Sequence, residues 1–385
     1  MKILHINVCY ITDKFYETFY ENLLLKGLEQ TIYVPYKKDN YKSEDLDRLK
    51  KHKKDIKIIA SPIKTLADRV LYHAKIEKYF NDLEKKSNYF EKIDVIHAHS
   101  LFSDGGVAYY ANKKYNIPFI VAVRTTDTDY YLKYMFFLKP FMKKIFEKAS
   151  KIVFISPNLQ KKVLNIITDA KLKEVIKEKS IIIPNGIDKF WIENNYVKTS
   201  NSFPQIKLIQ VGRLTKRKNQ KLTLLSVSNL LSKNYNVSVD FVGDGEDYKK
   251  LKALSRKLKI EDKVKFYGYI EDKNVLLELY RKSDIFVLPS HTETFGISYI
   301  EAMSQGLPVI YTKNQGIDEY YKEFEVGCHV NSYSVSELCD GILKIVEKYN
   351  EISKTCSRES LKYDWDNIAN QYLFIYNEII FNKIK

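Results

Sequence analysis

Residues 289–310 read PSHTETFGISYIEAMSQGLPVI, and the structure that this stretch implies decides the fold. The apolar run just before it, Ile285–Leu288, predicts a short β-strand, and the polar residues that follow predict a loop. Gly296 permits a tight turn, after which a helix is expected to begin near Ile297. LPVI at 307–310 predicts the next strand. A strand, a loop, a helix and a second strand in this order are typical of a parallel α/β sheet.

Two acidic residues and a helix start lie together in this stretch. In open α/β sheets, ligands bind beyond the carboxyl ends of the strands, where helix N-termini point. Backbone N–H groups of Phe295, Gly296 and Ile297 are therefore expected to bind a pyrophosphate, assisted by the helix dipole. Glu301 is placed to accept hydrogen bonds from ribose hydroxyls, and Glu293 is placed to reach a sugar on the same ligand.

Short apolar, β-branched runs alternate with longer periodic segments along the chain, in two series. Strands that alternate with helices indicate parallel sheets built from βαβ units, and two series indicate two such domains. A Pro/Gly/Asn/Ser-rich stretch at 184–204 separates the series. The predicted divisions are an N-terminal acceptor domain (1–185), a linker (186–200), a C-terminal donor domain (201–365) and an aromatic terminal helix that crosses back to the first domain (366–385).

Further motifs follow one another in the C-terminal half. Besides the E-x7-E pair of Glu293 and Glu301, they are VGRLTKRKN (211–219), FVGDGED (241–247), FYGYI (266–270) and TKNQGIDEY (312–320). In this order and spacing they resemble the retaining glycosyltransferases of family four. The resemblance implies a GT-B fold, in which two Rossmann-like α/β domains with parallel sheets face each other across a cleft.

The resemblance also assigns roles to these segments. Arg213 and Lys218 would neutralise the diphosphate of a nucleotide-sugar donor, Gly212 would contact the donor, and the backbone of Tyr269 and Ile270 would meet the base. When the bond from sugar to phosphate breaks, negative charge grows on the leaving diphosphate, and fixed cations aimed there lower the barrier. Both cations are therefore predicted to be catalytic, together with the first glutamate of the E-x7-E pair.

No metal and no cofactor is expected. A clamp made of Arg213, Lys218 and a helix N-terminus would replace the metal ion that other enzymes use. Asp127 and Asp129 form a D-T-D pair, but they lie in the other half of the chain. The four cysteines are scattered, without a CxxC pair or a neighbouring histidine at metal-ligand spacing. This pattern indicates reduced, unliganded thiols.

The N-terminal half carries a weaker resemblance, in DVIHAHSLFSDGG (94–106). This segment is similar to the strand of the family that ends in H-x-H before a glycine-bearing loop. His97 and His99 share one face of the predicted strand, because side chains alternate with a period of two. His99, nearer the carboxyl end, is predicted to be catalytic through contact with the donor sugar or the acceptor. His97 is predicted to be structural.

Three more residues are candidates for the acceptor site or the cleft, namely Arg124, Asp127 and Asn7. Arg124 stands where the family often has a histidine, and it would contact an anionic acceptor. The glycine-rich loop that is common near the first strand of the family is missing, because CYITDKFYET (9–18) contains no glycine. Acceptor contacts in that loop are expected to come from side chains.

The formal net charge is +15, and it is unevenly distributed. Residues 1–190 contain 35 Lys and Arg against 23 Asp and Glu, whereas residues 191–385 contain 28 against 25. Such asymmetry indicates that the first half meets an anionic partner, for which nucleic acid, a membrane surface and a phosphate-bearing acceptor all qualify. Compositional drift in a Lys-rich sequence is the alternative explanation, and it stays open.

The segment 130–150 is aromatic, basic and amphipathic. It is a candidate for peripheral contact with the anionic inner face of the cell membrane, and packing in the core is the alternative. No apolar run reaches the roughly 18 residues that a membrane span needs. MKILHINVCY at 1–10 lacks the long apolar region and cleavage site of a signal peptide. The expected location is therefore the cytoplasm.

Taken together, the motifs predict a retaining, metal-independent glycosyltransferase that moves a sugar from a nucleotide donor to an acceptor hydroxyl, with UDP favoured as the nucleotide. Its relatives mostly assemble bacterial capsule, exopolysaccharide or lipopolysaccharide, so a glycan or lipid-linked acceptor is expected. A small-molecule or protein acceptor remains an alternative. Nucleic-acid binding is disfavoured as a function because the lysines of this sequence are spread out and no nucleic-acid recognition motif is present. A pseudo-enzyme partner subunit is disfavoured by the intact motif residues.

Overall fold

The computed structural model describes residues 1–13, 15–38, 49, 56–86, 90–200 and 202–384. The chain folds into two compact units. The first contains Met1–Pro184 and Trp365–Lys385, and the second contains Asn185–Asp364. Lys385, the last residue of the predicted terminal helix, lies outside the described residues.

A sheet of parallel strands forms the centre of the first unit. The strands are β1 (Lys2–Ile6), β2 (Glu29–Pro35), β3 (Ile56–Ser61), β4 (Val95–Ala98), β5 (Phe119–Val123), β6 (Lys151–Phe154) and β7 (Ser180–Ile182). Their order in the sheet is β3-β2-β1-β4-β5-β6-β7. All residues of β4 and β5 are buried, as expected where helices cover both faces of a parallel sheet.

Helices alternate with these strands along the chain. They are α1 (Phe15–Leu25), α2 (Tyr72–Lys86), α3 (Ser103–Tyr115), α4 (Leu132–Tyr134), α5 (Lys139–Lys148), α6 (Pro157–Ile166) and α7 (Ala170–Lys179). One π-helical turn, Asp127–Tyr131, precedes α4. Sequence signals fix several helix starts. Ser156, for example, accepts a hydrogen bond from the backbone N–H of Leu159, and Pro157 occupies the first helical position of α6.

The second unit repeats this architecture. Its strands are β8 (Ile206–Val211), β9 (Val237–Val242), β10 (Val264–Phe266), β11 (Ile285–Val287), β12 (Val309–Thr312) and β13 (Gly327–Val330). They are all parallel, in the order β10-β9-β8-β11-β12-β13. Its helices are α8 (Lys189–Glu193), α9 (Gln220–Ser232), α10 (Tyr248–Lys257), α11 (Lys273–Lys282), α12 (Ile297–Ser304), α13 (Val335–Glu347) and α14 (Tyr349–Ser360).

The predicted fold class is confirmed, because each unit is a Rossmann-like α/β unit built on a parallel sheet. The stretch 289–310 forms the elements that its pattern predicted: it follows strand β11, contains helix α12 and enters strand β12. The segment 186–200, expected to be a linker, contains α8 and belongs to the second unit. Trp191 of α8 is 2% exposed, and its ring packs edge-on against Tyr280.

The terminal helix α15 (Trp365–Ile384) belongs to the first unit. It packs against α1, where Phe19 contacts the rings of Trp365 and Tyr372 at centroid distances of 5.8 and 5.1 Å. Ile375 and Tyr376 are also buried in this core. The helix therefore completes the hydrophobic core of a unit whose other residues lie before Asn185. No helix among the described residues is long and apolar enough to cross a membrane.

We expect Ile375→Ala to destabilise the first unit by about 2–5 kcal/mol, because Ile375 is 1% exposed and the truncation leaves a cavity. The neighbouring Phe374 is 68% exposed, so Phe374→Ala should change the free energy of unfolding by no more than about 0.5 kcal/mol. Urea unfolding of both variants is followed by the fluorescence of Trp365, in a background in which Trp191 is replaced by Phe. Equal midpoints for the two variants would contradict this packing of α15.

Candidate functional site

The residues predicted to bind a donor lie around the point where the strand order of the second sheet reverses. β8 lies between β9 and β11, so the chain leaves the carboxyl ends of β8 and β11 toward opposite sides of the sheet. Ligands of open α/β sheets bind in the crevice at such a point. The loop after β8 carries Gly212, Arg213 and Lys218, and the loop after β11 carries Glu293.

Lys218 and Glu293 form an ion pair across this crevice. The Lys218 Nζ donates to the Glu293 Oε2 at 2.5 Å, and the two side chains are only 12% and 7% exposed. The loop after β12 holds Glu293 from the other side. The backbone N–H of Glu293 donates to Gln315 Oε1 at 3.1 Å, and the N–H of Gly316 donates to the Glu293 carbonyl at 3.0 Å. Lys218 therefore holds the carboxylate of Glu293, and the loop after β12 holds its backbone.

Helix α12 begins directly after this loop. Gly296 adopts a φ of 83°, and a Cβ at this position would lie 2.4 Å from the ring of Tyr299, so only glycine fits here. The N-cap residue of α12 is Gly296, which has no side chain to cap the first turn. The N–H groups at its start, including that of Ile297, are therefore available to an anion, and Phe295 packs beneath them with 2% exposure.

The floor of the site is made of backbone in close contact. A Cβ on Gly243 would lie 2.3 Å from the carbonyl oxygen of Gly212, and the Leu214 N–H donates to the Asp244 carbonyl at 2.9 Å. The loops after β8 and β9 can approach this closely only because Gly243 has no side chain. Arg213 is exposed above this floor, and it forms no ion pair with any residue in the described part of the chain.

Glu301 lies in the second turn of α12 and is partly buried. Burial, and secondly the negative charge of Asp188, raise the pKa of the Glu301 carboxyl to about 7, while Tyr280 acts in the opposite direction. Asp188 is itself paired with Lys273 at 2.6 Å. The carboxyl is therefore close to its own midpoint of ionisation at neutral pH, which makes it responsive to a hydrogen-bonding ligand.

Tyr269 and Ile270 follow β10 at the same edge of the second sheet. The side chain of Tyr269 is 69% exposed, and its backbone N–H donates to Asp244 Oδ2 at 3.0 Å. Ile270 is partly buried. Asp244 therefore connects the loops after β9 and β10, which places the predicted base-binding segment beside the floor described above.

In the first unit, His99 lies in a buried cluster with His5 and His97. The rings of His97 and His99 stack with centroids 3.9 Å apart, as their shared strand face predicted. His99 Nε2 lies 3.1 Å from His5 Nδ1 and 3.2 Å from the Tyr20 hydroxyl. Burial lowers the pKa of all three imidazoles, to about 3 for His5. The cluster is therefore neutral at physiological pH.

Arg124 joins this cluster to the neighbouring loops. Its Nε donates to the carbonyl of His99 at 3.0 Å, and its guanidinium also contacts the Tyr16 hydroxyl at 3.4 Å. The side chain of Asp127 is 1% exposed, and its carboxylate accepts hydrogen bonds from the backbone N–H groups of Leu101, Phe102 and Arg124. Asp127 thus fixes the loops after β4 and β5.

Asn7 has a comparable position at the end of β1. Its side chain is fully buried, donates to the Tyr20 hydroxyl at 2.8 Å and accepts from the N–H of Cys9 at 2.9 Å. Within the described residues, the side chains of Asn7 and Asp127 are therefore committed to the protein's own loops. Of the three acceptor candidates, only Arg124 presents a charged group that is partly exposed.

Sequence reasoning grouped the donor residues of the second unit but missed several of their neighbours. It did not single out Gln315, which orients Glu293, or the pair of Asp188 and Tyr280 beside Glu301. It also missed Asp104, which is fully buried and accepts a hydrogen bond from the N–H of Val8 at 3.1 Å. The one sequence signal for Asp104 is its place in the first turn of a helix, where acidic residues are favoured.

Comparison with known proteins gives two family matches that together cover most of the chain. Residues 193–362 match the model of "Glycosyl transferases group 1". Residues 19–189 match the model of "Glycosyltransferase Family 4". The candidate site residues named in the sequence analysis fall inside these two matches, apart from Asn7.

Curated relatives are similar at low identity. An uncharacterized glycosyltransferase of Methanocaldococcus jannaschii is 25% identical over 322 residues, which cover 77% of this chain and 78% of that protein. The alpha-monoglucosyldiacylglycerol synthase of Streptococcus pneumoniae is 26% identical over 258 residues, which cover 62% of this chain and 57% of that protein.

Solved structures share the fold of this chain. The Anabaena protein HepE, crystallised with UDP, aligns with a TM-score of 0.73 at 18% identity and covers 98% of this chain and 100% of its own. The lipopolysaccharide outer core galactosyltransferase WaaB aligns with a TM-score of 0.73 at 18% identity over the whole of both chains. Since both family models match in order and the fold agrees, the chain belongs to the family-4 type of glycosyltransferases with the GT-B fold.

Proposed function

We propose that this glycosyltransferase is retaining and metal-independent, and that it transfers a hexose from a UDP-sugar to an acceptor hydroxyl during bacterial polysaccharide assembly at the cytoplasmic face of the membrane. The observation that carries the proposal is the buried pair of Lys218 and Glu293 beside the uncapped start of α12. A cation, free N–H groups and a fixed carboxylate in one crevice suit a ligand that has both a diphosphate and hydroxyl groups.

In the proposed reaction, the acceptor oxygen forms a bond to the anomeric carbon on the face from which the diphosphate departs. The electron pair of the broken carbon–oxygen bond goes to the diphosphate, and the acceptor proton passes to a phosphate oxygen. Arg213, Lys218 and the first N–H groups of α12 stabilise the growing negative charge. Because these fixed groups supply positive charge, no step requires a metal ion. Glu293 orients the sugar by accepting hydrogen bonds from the hydroxyl groups of the sugar.

The choice of UDP is supported by the Anabaena neighbour, whose structure contains that nucleotide. The choice of a glycan or lipid-linked acceptor is supported by relatives and neighbours named for lipopolysaccharide and glycolipid synthesis. We assign Glu301 to the ribose hydroxyls and the exposed segment of Tyr269 and Ile270 to the base. His99 acts in this proposal as a positioning residue, because its carbonyl holds Arg124 and its ring is buried.

Peripheral contact with the membrane is supported by the exposure of segment 130–137. Tyr134, Phe136 and Phe137 are 63%, 67% and 57% exposed, and Lys133, directly before them, is exposed as well. The apolar residues of α5, in contrast, are buried in the first unit. We therefore assign the membrane contact to the aromatic and basic turn that precedes α5, and a core role to α5 itself.

UDP should raise the melting temperature of the protein in the presence of EDTA. At about a hundred times its dissociation constant, a ligand stabilises the folded state by roughly 2.7 kcal/mol. We expect Lys218→Met to abolish most of this shift, while Lys221→Met, an exposed position on α9, leaves it unchanged. GDP, ADP and CMP are tested in parallel. If no nucleotide shifts the wild type, even with magnesium or manganese, the pseudo-enzyme alternative replaces this proposal.

Donor binding should weaken at acidic pH. The pKa of Glu301 is raised to about 7 by burial and by Asp188, and ribose hydroxyls donate to its ionised form. Below this pH a proton must be released on binding, so affinity for UDP-glucose should fall by about tenfold per pH unit. Isothermal titration calorimetry measures this dependence with UDP-glucose, because its esterified diphosphate does not titrate near neutral pH. Glu301→Gln should remove the dependence, and a flat wild-type profile would contradict the ribose assignment.

Replacing both Phe136 and Phe137 by Ser should reduce binding to phosphatidylglycerol vesicles by at least about tenfold, since each buried aromatic ring contributes about 1.5–3 kcal/mol. Co-sedimentation at two salt concentrations gives the readout, and phosphatidylcholine vesicles test the charge requirement. Phe374→Ser, which changes another exposed aromatic residue of the same unit, is the matched control. Vesicle binding that is equal in both variants would exclude this surface.

A further inference from the structure

A pocket of about 360 Å³ lies at the carboxyl ends of the strands of the first unit. Its wall includes residues that follow the successive strands β1 to β5, namely Val8, Lys37, Lys64, Ser103 at the start of α3, and Thr126. Helix α2 contributes Lys75 from below. This edge of an open α/β sheet is where ligands bind, so the position of the pocket already favours a binding function.

Lys75 is the unusual residue of this pocket. It is 4% exposed, and its Nζ donates to the Ser103 hydroxyl at 3.1 Å and to the Tyr131 hydroxyl at 3.0 Å. The ammonium also lies 4.8 Å from the ring centre of Tyr72. All these partners are neutral, and no carboxylate lies within 4 Å of Lys75 in the described part of the chain. Two of the three ammonium hydrogens are used, which leaves one for a ligand.

The carboxylates near the pocket are engaged elsewhere. Asp68 accepts hydrogen bonds from Thr65 and Tyr79 and forms an ion pair with Lys78 at 2.5 Å. Asp104 accepts hydrogen bonds from the Val8 N–H and from the Ser100 hydroxyl, and three backbone N–H groups surround Asp127. Burial lowers the pKa of Lys75 to about 8, so the side chain is still mostly protonated at neutral pH. Its charge is left without a direct counter-ion.

A second cation, Lys64, lies in the pocket wall and is partly buried. Its backbone N–H donates to the Tyr36 carbonyl, and its side chain forms no hydrogen bond or ion pair with the residues that the structure describes. Hydroxyl groups of Thr65, Ser103 and Tyr131 surround the same space. Lys37 also lines the pocket, and the one carboxylate in its described wall, Asp68, is paired with Lys78. Lysines and hydroxyl donors, with the carboxylate already paired, suit an oxyanion with several acceptor oxygens.

We propose that this pocket binds a phosphate ester group of the acceptor, held by Lys75 and Lys64. The volume is at the lower end of the range for small-molecule sites, which is about 300–1,000 Å³. It accommodates a phosphate with a small polyol, so the remainder of a longer acceptor lies outside. Calling this ligand the acceptor rests on the proposed glycosyl transfer, whereas the anion site itself does not. Both a soluble phosphate ester and a lipid phosphate have the required chemistry.

Calorimetric titration with glycerol 3-phosphate tests the soluble source, on full-length protein saturated with UDP so that the donor crevice is occupied. Lys64→Gln is expected to weaken binding by at least about tenfold, as for loss of a charge-assisted hydrogen bond. Lys75→Met should weaken it at least as much. Lys113→Gln removes an exposed charge from α3 of the same unit and should leave the affinity unchanged.

Vesicles that contain phosphatidic acid test the lipid source with the same four proteins. Binding of either probe that is lost in Lys64→Gln but kept in Lys113→Gln supports the site and identifies the source. The proposed anion site is wrong if neither probe binds, or if the wild type and the three lysine variants bind a probe equally well. Lys64 is partly exposed, so Lys64→Gln is expected to fold. It therefore tests the site even if Lys75→Met does not fold. Lys218→Met separates this proposal from the proposed donor site. The variant should lose its affinity for UDP and retain its affinity for glycerol 3-phosphate.

Discussion

The reversal of strand order in each sheet is the constraint on which the sites of this protein depend. In both units the first strand lies inside the sheet, with the second strand on one side and the fourth on the other. Loops from the first and fourth strands therefore diverge at their carboxyl ends and leave space between them. In the second unit Lys218 and Glu293 meet in this space, and in the first unit His5 and His97 lie on the equivalent strands, with His99 just after β4.

Lys218 in the second unit and Lys75 in the first unit are both removed from solvent, but their positive charges have different partners. Lys218 has a carboxylate partner that a ligand can share or replace, so its charge is already compensated within the protein. Lys75 has hydroxyls and aromatic rings as its direct partners, and the carboxylates of Asp68, Asp104 and Asp127 act on its charge only from beyond ion-pair distance. Desolvating an unpaired charge is costly. The first unit thus holds a cation in a state that an oxyanion would stabilise.

The sequence allowed good predictions wherever the signal was local. A turn glycine, an apolar run and two glutamates fall within a few residues of each other in 289–310, so the strand, the helix start and the placement of Glu293 beside it could be read directly. The alternation of side chains on a strand likewise predicted that His97 and His99 share a face.

Features that depend on contacts between distant segments could not be read in this way. The burial of His99 depends on His5 and Tyr20, which belong to other elements. The raised pKa of Glu301 depends first on burial and secondly on Asp188, which comes from a segment expected to be a linker. The charge asymmetry indicated an anionic partner but gave no location. One local signal was available for Lys75, which follows Tyr72 and precedes Tyr79 on the buried face of α2, where a lysine is out of place.

The position of α15 has a consequence for biosynthesis. The first unit is discontinuous in the chain, because residues 185–364 are inserted before its last helix. At about 5–20 residues per second, a ribosome needs roughly 10–40 s to make that insertion. Throughout this interval the nascent N-terminal sheet is complete, but Phe19 on α1 lacks its cover from Trp365 and Tyr372. The emerging chain therefore leaves this aromatic surface of α1 uncovered until α15 has been made, and the packing of α15 then completes the core of the first unit.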